Sequence, residues 1–250
     1  MKLFRVEHDG GAKYALEVDG ALRQVDGDIF AGPPYRYGAE IKPARILAPV
    51  TPSKIVAIGL NYKDHAAEMN KPLPAEPLMF MKPSTSVIGT LDTIRLPTVH
   101  GRIDYEGELG AVIGKLTYRV RADQALAHVL GYTCVNDVTA RDLQKKDVQY
   151  TRAKGFDTFA PIGPCIAVGL DSAALDIQTR VNGEVRQSSN TRQLIFAVRE
   201  IIAFVSAVMT LLPGDIISTG TPSGVGPLQP GDRVSVSIEG IGELVNPVTE

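Results

Sequence analysis

The chain has 250 residues, 44% of them hydrophobic and 22% charged, which is the composition of an ordinary soluble globular protein. Its 26 Lys and Arg residues against 28 Asp and Glu residues leave a formal charge of -2. This balance supplies no basic field of the kind that draws proteins onto nucleic acid, so we expect no nucleic-acid partner. Cys134 and Cys165 form no CxxC pattern, which argues against zinc fingers and disulfide scaffolds and favours reduced thiols.

Two features bear on the location of the protein. The first residues include Arg5, Glu7 and Asp9, where a signal peptide needs an apolar run, so we expect no export and a cytoplasmic protein. The longest apolar stretch, residues 201–212, ends at Pro213 and is shorter than the roughly 20 residues that a membrane span requires. We therefore expect a core helix there and no membrane partner.

Short strand-like runs fill the beginning of the chain, at residues 3–7, 14–18 and 22–25, with Asp-Gly turns between them. A proline-bearing junction at residues 49–52 precedes an apolar run at 54–60, which predicts a buried strand. The sequence thus predicts a small β-rich domain at residues 1–50 and a larger domain at residues 51–250.

In the larger domain, helices and strands do not alternate regularly. Helices are predicted at residues 61–69, 122–130, 139–148 and 192–212, and strands at residues 103–114, 132–138 and 216–220. Thr139 and Asp142 form a capping-box signature for the third helix, and apolar residues at steps of three and four mark the fourth. Strands outnumber helices, so the predicted fold class is α+β and not a doubly wound sheet.

Three carboxylates are candidates for a metal site. Glu106 and Glu108 are two positions apart on a strand, so they leave one face about 6.6 Å apart at the backbone. They can converge on a cation, but the pattern alone favours the solvent face of an amphipathic strand. Asp137 ends the strand before the third helix, where it is a third ligand or simply favours the helix N-terminus. An oxygen-only site of this kind selects Mg²⁺, Mn²⁺ or Ca²⁺.

Other polar residues allow two interpretations each. His65 and Glu68 are three positions apart on a helix, which suits an imidazole that takes a proton from water, yet such surface pairs are common. Arg141 and Gln144 share a helix face and can donate to a carboxylate, or they belong to an ordinary polar surface. Lys154, before a glycine, is by itself a surface lysine.

Five motifs, in this order, resemble the fumarylacetoacetate hydrolase family: NYKDHAAE at residues 61–68, DYEGEL at 104–109, NDVTARDLQ at 136–144, KGFD at 154–157 and GTPSGVG at 220–226. The resemblance covers about residues 45–250. It implies the strand-rich fold of that family, with mixed β-sheets and a few helices, and the beginning of the chain resembles the small N-terminal domain of some bacterial members.

The resemblance also implies roles for nine residues and a homodimer. By this resemblance, Glu106, Glu108 and Asp137 would bind Mg²⁺ or Mn²⁺. His65 and Glu68 would activate a water molecule, and Lys154 would stabilise negative charge. Contacts to a small anionic 2-oxo acid substrate fall to Arg141, Gln144 and Thr221.

The reaction we expect is metal-dependent hydrolysis of a carbon–carbon bond in an acylpyruvate, through a pyruvate enolate. Oxaloacetate decarboxylation and isomerisation of 2-hydroxyhepta-2,4-diene-1,7-dioate are alternatives that use the same site. A non-catalytic domain in which Ca²⁺ ties a strand to a helix is an alternative from another class. A purely structural calcium site would not require His65, Lys154 and Arg141 to converge on it.

Overall fold

The computed structural model describes residues 1–98 and 101–250, and β-strands dominate it. The strands are β1 (Lys2–His8), β2 (Gly11–Val18), β3 (Ala21–Asp26), β4 (Arg36–Glu40), β5 (Arg45–Ile46), β6 (Ile55–Gly59), β7 (Leu78–Lys82), β8 (Val87–Ile88), β9 (Ile94–Arg95), β10 (Ile103–Tyr105), β11 (Gly107–Ile113), β12 (Val129–Asn136), β13 (Thr139–Ala140), β14 (Ala160–Ala167), β15 (Asp176–Val181), β16 (Glu184–Asn190), β17 (Ile216–Ser218), β18 (Gly226–Pro227), β19 (Arg233–Ile238) and β20 (Gly242–Thr249). The α-helices are α1 (Lys63–Glu68), α2 (Ala122–Ala125), α3 (Arg141–Asp147), α4 (Thr151–Lys154) and α5 (Val198–Val208). Single 3-10 turns lie at Ile29–Ala31, Ser84–Ser86, Leu126–His128, Ser172–Ala174 and Thr191–Gln193.

The strands form one large sheet and two smaller ones. The large sheet has the order β4-β3-β2-β1-β14-β12-β11-β17-β6-β7, with β5 beside β1 and β8 beside β14. It is mixed, because β17 runs parallel to β6 but antiparallel to β11. The second sheet has the order β16-β15-β19-β20-β9, and the third is β13-β10-β18. The prediction of a strand-rich α+β fold with mixed sheets is confirmed.

The predicted N-terminal strands lie within β1, β2 and β3, which form an antiparallel meander. Leu3 of β1 pairs with Ile166 of β14, so this meander continues the large sheet. Leu3 and Val25 also share a hydrophobic core with Val112 and Ile166. The division of the chain at residue 50 stays a prediction.

The main core lies where the large sheet, the second sheet and α5 meet. Leu109 and Ile113 of β11, Ile201 and Val205 of α5 and Val236 of β19 are all buried in one cluster. The apolar stripe of α5 therefore faces the core, as its spacing predicts. Among the described residues, none of the helices is both long and apolar enough to cross a bilayer.

The fourth helix is shorter than predicted at both ends: α5 covers Val198–Val208 and not residues 192–212. At its beginning, the backbone of residues 195 and 196 bonds to Asn61, whose carbonyl accepts from Ile195 N and whose Oδ1 accepts from Phe196 N. At its end, Leu211 pairs with Thr117. Because these groups bond to other parts of the chain, helical bonds cannot form there.

Two further predictions around β12 and β13 are wrong. Residues 122–130 form only α2 and a 3-10 turn, because Val129 pairs with Ile113 and already belongs to β12. The capping box is absent from this described segment: Ala140 is the N-cap of α3, and Thr139 lies in β13, where its hydroxyl donates to the Asp137 carbonyl. Helix α3 itself begins next to the predicted position.

Candidate active site

Three buried carboxylates converge at the broken strand formed by β10 and β11. Glu106 lies at the break between these strands, Glu108 lies in β11, and Asp137 follows β12. One oxygen from each lies within 4.8 Å of the others. Pairing of β11 with β12 and the bond from Asp137 N to the Glu106 carbonyl, at 2.8 Å, bring the three together.

The expectation that Glu106 and Glu108 face solvent is wrong. Their exposed fractions are 5% and 2%, because β11 is buried on both faces in the middle of the large sheet. Polar residues alternating with apolar ones therefore do not mark a surface here. They mark a buried site whose charge needs compensation.

A buried lysine and a partly buried arginine supply part of that compensation. Lys154 Nζ lies 2.8 Å from Glu106 Oε2 and 2.5 Å from Asp137 Oδ2. The guanidinium of Arg141 lies 2.5 Å from Glu106 Oε1 through Nη2. Burial alone would raise the pKa of Glu106, but Arg141 and Lys154 outweigh it and hold this pKa well below its usual range.

Glu108 has a different environment. Its Oε2 accepts hydrogen bonds from Ser218 Oγ at 2.6 Å and Gly220 N at 2.9 Å, and no lysine or arginine of the described residues is paired with it. Burial, together with the charges of Asp137 and Glu106, raises the pKa of Glu108 to about 8. A divalent cation among the three carboxylates would remove this repulsion, so the donor set fits a hard, oxygen-preferring ion.

His65 and Glu68 form a pair on α1. His65 Nδ1 lies 2.9 Å from Glu68 Oε2, and the buried His65 ring is thereby oriented. Because the carboxylate accepts, the proton of the neutral ring belongs on Nδ1, which leaves Nε2 as an acceptor. Glu68 Oε1 in turn accepts from Gly224 N at 3.0 Å. The pair therefore has the geometry of an oriented base.

Arg141, Gln144 and Thr221 are held by contacts within the protein. Arg141 Nη1 donates to Gln144 Oε1 at 3.0 Å, and Arg141 Nε donates to Asp104 Oδ2 at 2.8 Å. The Thr221 hydroxyl donates to the Gly107 carbonyl at 2.9 Å. The same hydroxyl accepts from Gln187 Nε2 at 2.8 Å, so only its second lone pair and the Thr221 backbone remain for a ligand.

All nine residues predicted from the sequence line one cavity of about 650 Å³. Apolar side chains complete its wall: Ile58, Leu78, Phe80, Tyr150 and Val225. Lys154 Nζ lies 4.8 Å from the centre of the Phe80 ring, so this wall also contacts a charged group. The structure thus brings the predicted residues together, while their roles remain predictions.

Sequence reasoning missed Lys82 and Asp104. Lys82 is fully buried at the end of β7 and donates to Asp137 Oδ1 at 2.5 Å and to the Val138 carbonyl at 3.1 Å. Burial lowers the pKa of Lys82 despite this contact. Asp104, also buried, accepts from Arg102 and Arg141. The sequence contained a signal for each residue. Lys82 ends an apolar strand, and Asp104 is a third acid on the same strand face as Glu106 and Glu108.

The fold and the site agree with one family of enzymes. Residues 54–249 match the family model described as fumarylacetoacetate (FAA) hydrolase C-terminal, and the chain belongs to this family of enzymes. Its members commonly bind a divalent metal, and Glu106, Glu108 and Asp137 are the cluster that could hold one here.

Individual relatives carry several names. The chain is 47% identical to oxaloacetate tautomerase FAHD2A of Bos taurus over 216 residues, which are 81% of this chain and 68% of the bovine protein. It is similar to the structure of 2-hydroxyhepta-2,4-diene-1,7-dioate isomerase from Mycobacterium marinum, with a TM-score of 0.91, 44% identity and coverage of 100% and 98%. It is also similar to fumarylacetoacetate hydrolase from Exiguobacterium antarcticum, with a TM-score of 0.90, 40% identity and coverage of 100% and 99%.

Proposed function

We propose that the protein is a divalent-metal-dependent hydrolase that cleaves a carbon–carbon bond of an acylpyruvate-type 2,4-dioxo acid. The observation that carries this proposal is the oriented His65–Glu68 pair in the same cavity as the buried carboxylates Glu106, Glu108 and Asp137. An oriented base beside a site for a hard cation suits the activation of water next to a substrate held by its oxygens.

Mg²⁺ or Mn²⁺ is the proposed cofactor, and Ca²⁺ fits the same oxygen donors. When bound, the ion would act as a Lewis acid toward the carboxylate and 2-oxo oxygens of the substrate and would stabilise the enolate of pyruvate. The ligands would be Glu106, Glu108 and Asp137. The proposed substrate is a small anion, because Lys154 and Arg141 add positive charge to the same cavity.

The residues of the chain would supply orientation and proton transfer. Arg141 and Gln144 share one face of α3 and would donate to the substrate carboxylate, while Lys154 would balance the negative charge that develops on the enolate oxygen. Thr221 would contact the substrate through its backbone or the second lone pair of its hydroxyl, because the hydroxyl already donates to Gly107 and accepts from Gln187.

Bond cleavage would begin at His65. Nε2 takes a proton from water, and the hydroxide adds to the distal carbonyl of the acylpyruvate, while Glu68 stabilises the protonated ring. The bond between carbons 3 and 4 then breaks, and its electron pair passes into the pyruvate enolate. Return of the proton to carbon 3 gives pyruvate and a carboxylic acid, so atoms and charges balance.

Keto–enol interconversion of oxaloacetate is a second candidate. The identity of 47% to a protein named oxaloacetate tautomerase favours it. This reaction uses the same enolate but needs no attacking water, since His65 would only move a proton between carbon 3 and the enol oxygen. Decarboxylation of oxaloacetate and isomerisation of 2-hydroxyhepta-2,4-diene-1,7-dioate, the substrate named for the Mycobacterium marinum neighbour, remain alternatives.

The test measures acetylpyruvate, oxaloacetate and 2-hydroxyhepta-2,4-diene-1,7-dioate turnover by chelator-treated protein reloaded with Mg²⁺ or Mn²⁺. We expect acetate and pyruvate from acetylpyruvate, and a loss of about 100-fold or more in His65→Ala. His128→Ala is the matched control, because His128 bonds to Thr117 outside the cavity.

Each alternative result has its own meaning. Full hydrolysis by His65→Ala would contradict the base role. Equilibration of enolic oxaloacetate without acetylpyruvate cleavage would establish the second candidate in place of the first, and release of carbon dioxide would indicate the decarboxylase. A Ca²⁺-dependent melting temperature without any turnover or any 2-oxo acid effect would support the structural calcium domain. The predicted homodimer and cytoplasmic location stay proposals that light scattering and fractionation can test.

A further inference from the structure

A closed ring of hydrogen bonds includes the backbone N–H and carbonyl of Gly107, the residue between Glu106 and Glu108. Gly107 N donates to Gln187 Oε1 at 2.9 Å, Gln187 Nε2 donates to Thr221 Oγ1 at 2.8 Å, and Thr221 Oγ1 donates to the Gly107 carbonyl at 2.9 Å. Both polar atoms of Gly107 are thus bonded to side chains. A buried and fully satisfied ring of this kind fixes the backbone that it encloses.

Gln187 comes from a different sheet. It is 1% exposed on β16, although most of this edge strand is exposed, and Nε2 also donates to the Pro222 carbonyl at 2.9 Å. One amide therefore ties the strand of the two glutamates to the loop that follows β17. Gly107 lets the sheets approach this closely, because a Cβ there would lie 2.1 Å from Thr179 Oγ1.

From this arrangement we infer that Gln187 is a positioning residue of the active site, which fixes the Glu106–Glu108 pair for cation binding through the backbone of Gly107. On one side, Gly107 pairs with Asn136 of β12, but on the other side the pairing of β11 with β17 covers only Gly110–Val112. The Gln187 ring holds Gly107 on that second side. The inference rests on the proposed metal site and deepens it, since it assigns a cause to the convergence of the two carboxylates.

The test compares two buried amides of the second sheet. Gln187→Met removes the ring, while Asn246→Leu removes the bonds from Asn246 to the Gly89 and Asp92 carbonyls, which lie outside the cavity. Both variants should melt at a lower temperature. In calorimetric titration of chelator-treated protein with Mn²⁺, we expect Gln187→Met to bind about 10- to 100-fold more weakly and Asn246→Leu to bind within about twofold of wild type.

Controls separate failure of this inference from failure of the metal site. If wild type binds no Mn²⁺, or Glu108→Gln binds as well as wild type, the proposed site is wrong. If wild type binds and Glu108→Gln does not, yet Gln187→Met binds within twofold of wild type, the positioning role is overturned.

Thr221→Val gives an independent measurement, which keeps the inference testable even if Gln187→Met does not fold. It removes the donor to Gly107 and should weaken Mn²⁺ binding in the same direction. Because Gln187 and Thr221 bond to the backbone of one residue, Gly107, the double variant should lose less affinity than the product of the two single losses. Unchanged Mn²⁺ affinity in Thr221→Val, or fully multiplicative losses in the double variant, would contradict the ring.

Discussion

At the scale of single residues, Glu108 determines how the site responds to pH. Its folded-state pKa of about 8 lies above the ordinary value of 4.5, so between these values the folded state holds a proton that the unfolded state has released. Without metal, this contribution to stability is fully present below about pH 4.5 and is lost as the pH rises through about 8. Cation binding requires the ionised carboxylate and therefore strengthens over the same interval.

The first prediction is that Mn²⁺ binding at pH 7 releases about one proton, because the ion displaces it from Glu108. Calorimetric titrations in two buffers of different ionisation enthalpy measure this number directly. Glu108→Gln should bind weakly and release none. Proton release that is zero in wild type would show that Glu108 is already ionised in the metal-free protein.

The second prediction concerns Lys82, which competes with a cation for Asp137. Lys82→Met should bind Mn²⁺ about tenfold more tightly, since removal of a buried positive charge lowers the repulsion that the ion meets. Without metal, the variant should melt at a lower temperature. Lys54→Met is the control, because Lys54 pairs with buried Asp215 away from the site and should lower only stability. Weaker Mn²⁺ binding by Lys82→Met would contradict the competition.

The sequence predicts contacts between residues that are close in the chain. It misses contacts between residues that are far apart in the chain. His65 and Glu68 are three positions apart, so helix geometry alone predicts their contact. Lys82 and Asp137 are 55 positions apart, and Gly107 and Gln187 are 80 apart. No local sequence pattern predicts such pairs, because the order of strands in the sheets determines which residues meet. Strand order in turn depends on the packing of the whole chain.

At the scale of elements, α1 is held over the cavity by contacts at its polar face. Asp64 Oδ1 accepts from His65 N at 2.7 Å, and Asp64 Oδ2 accepts from Ser189 Oγ of β16 at 2.5 Å. The bonds from Ser189 to Asp64 and from Gly224 to Glu68 therefore attach a helix of only six residues that would not be stable alone. Strand β16 thus reaches both the helix and, through Gln187, the metal-site strand.

The third prediction follows from the Ser189 contact. Ser189→Ala should speed amide hydrogen exchange in Lys63–Glu68 by about tenfold, because one hydrogen bond to a charged acceptor contributes about 1.5 kcal/mol or more. Ser188→Ala changes the exposed neighbour and should leave the exchange unaltered. Equal exchange rates in the two variants would show that the Ser189 bond does not hold the helix.

Element boundaries illustrate where local sequence signals fail. The apolar periodicity of residues 192–212 is correct for the part that packs on the core, but Asn61 and Thr117 bond to the backbone at either end and shorten the helix. The strand predicted at residues 54–60 matches β6, in which the four apolar residues at 55–58 are buried. Tertiary hydrogen bonds, which the sequence does not display, account for the differences.

At the scale of the whole molecule, the chain is nearly neutral, but charged side chains of both signs are concentrated at one site in its interior. The composition predicts no polyanionic partner, but it conceals a cluster of acids and cations drawn from β7, β10, β11, α3 and α4. An ion at this cluster would connect segments that lie far apart in the chain. Its binding free energy should therefore appear in the unfolding of the entire molecule.

The fourth prediction is that Mn²⁺ at 100 times its dissociation constant stabilises the protein by about 2.7 kcal/mol. For a chain of this size, that corresponds to a rise of roughly 5–10 °C in melting temperature. A chelator should reverse the shift, and Glu108→Gln should show none. An equal rise in Glu108→Gln would place the ion elsewhere.

The most direct measurement of the central claim is the anomalous diffraction of crystals grown with Mn²⁺. We expect one strong anomalous peak within coordination distance of Glu106, Glu108 and Asp137, and loss of that peak in Glu108→Gln crystals. A fully occupied peak at another position would contradict this expectation, as would electron density at saturating Mn²⁺ in which Glu106 and Asp137 bond only to Lys82, Arg141 and Lys154, and Glu108 bonds only to Ser218 and Gly220.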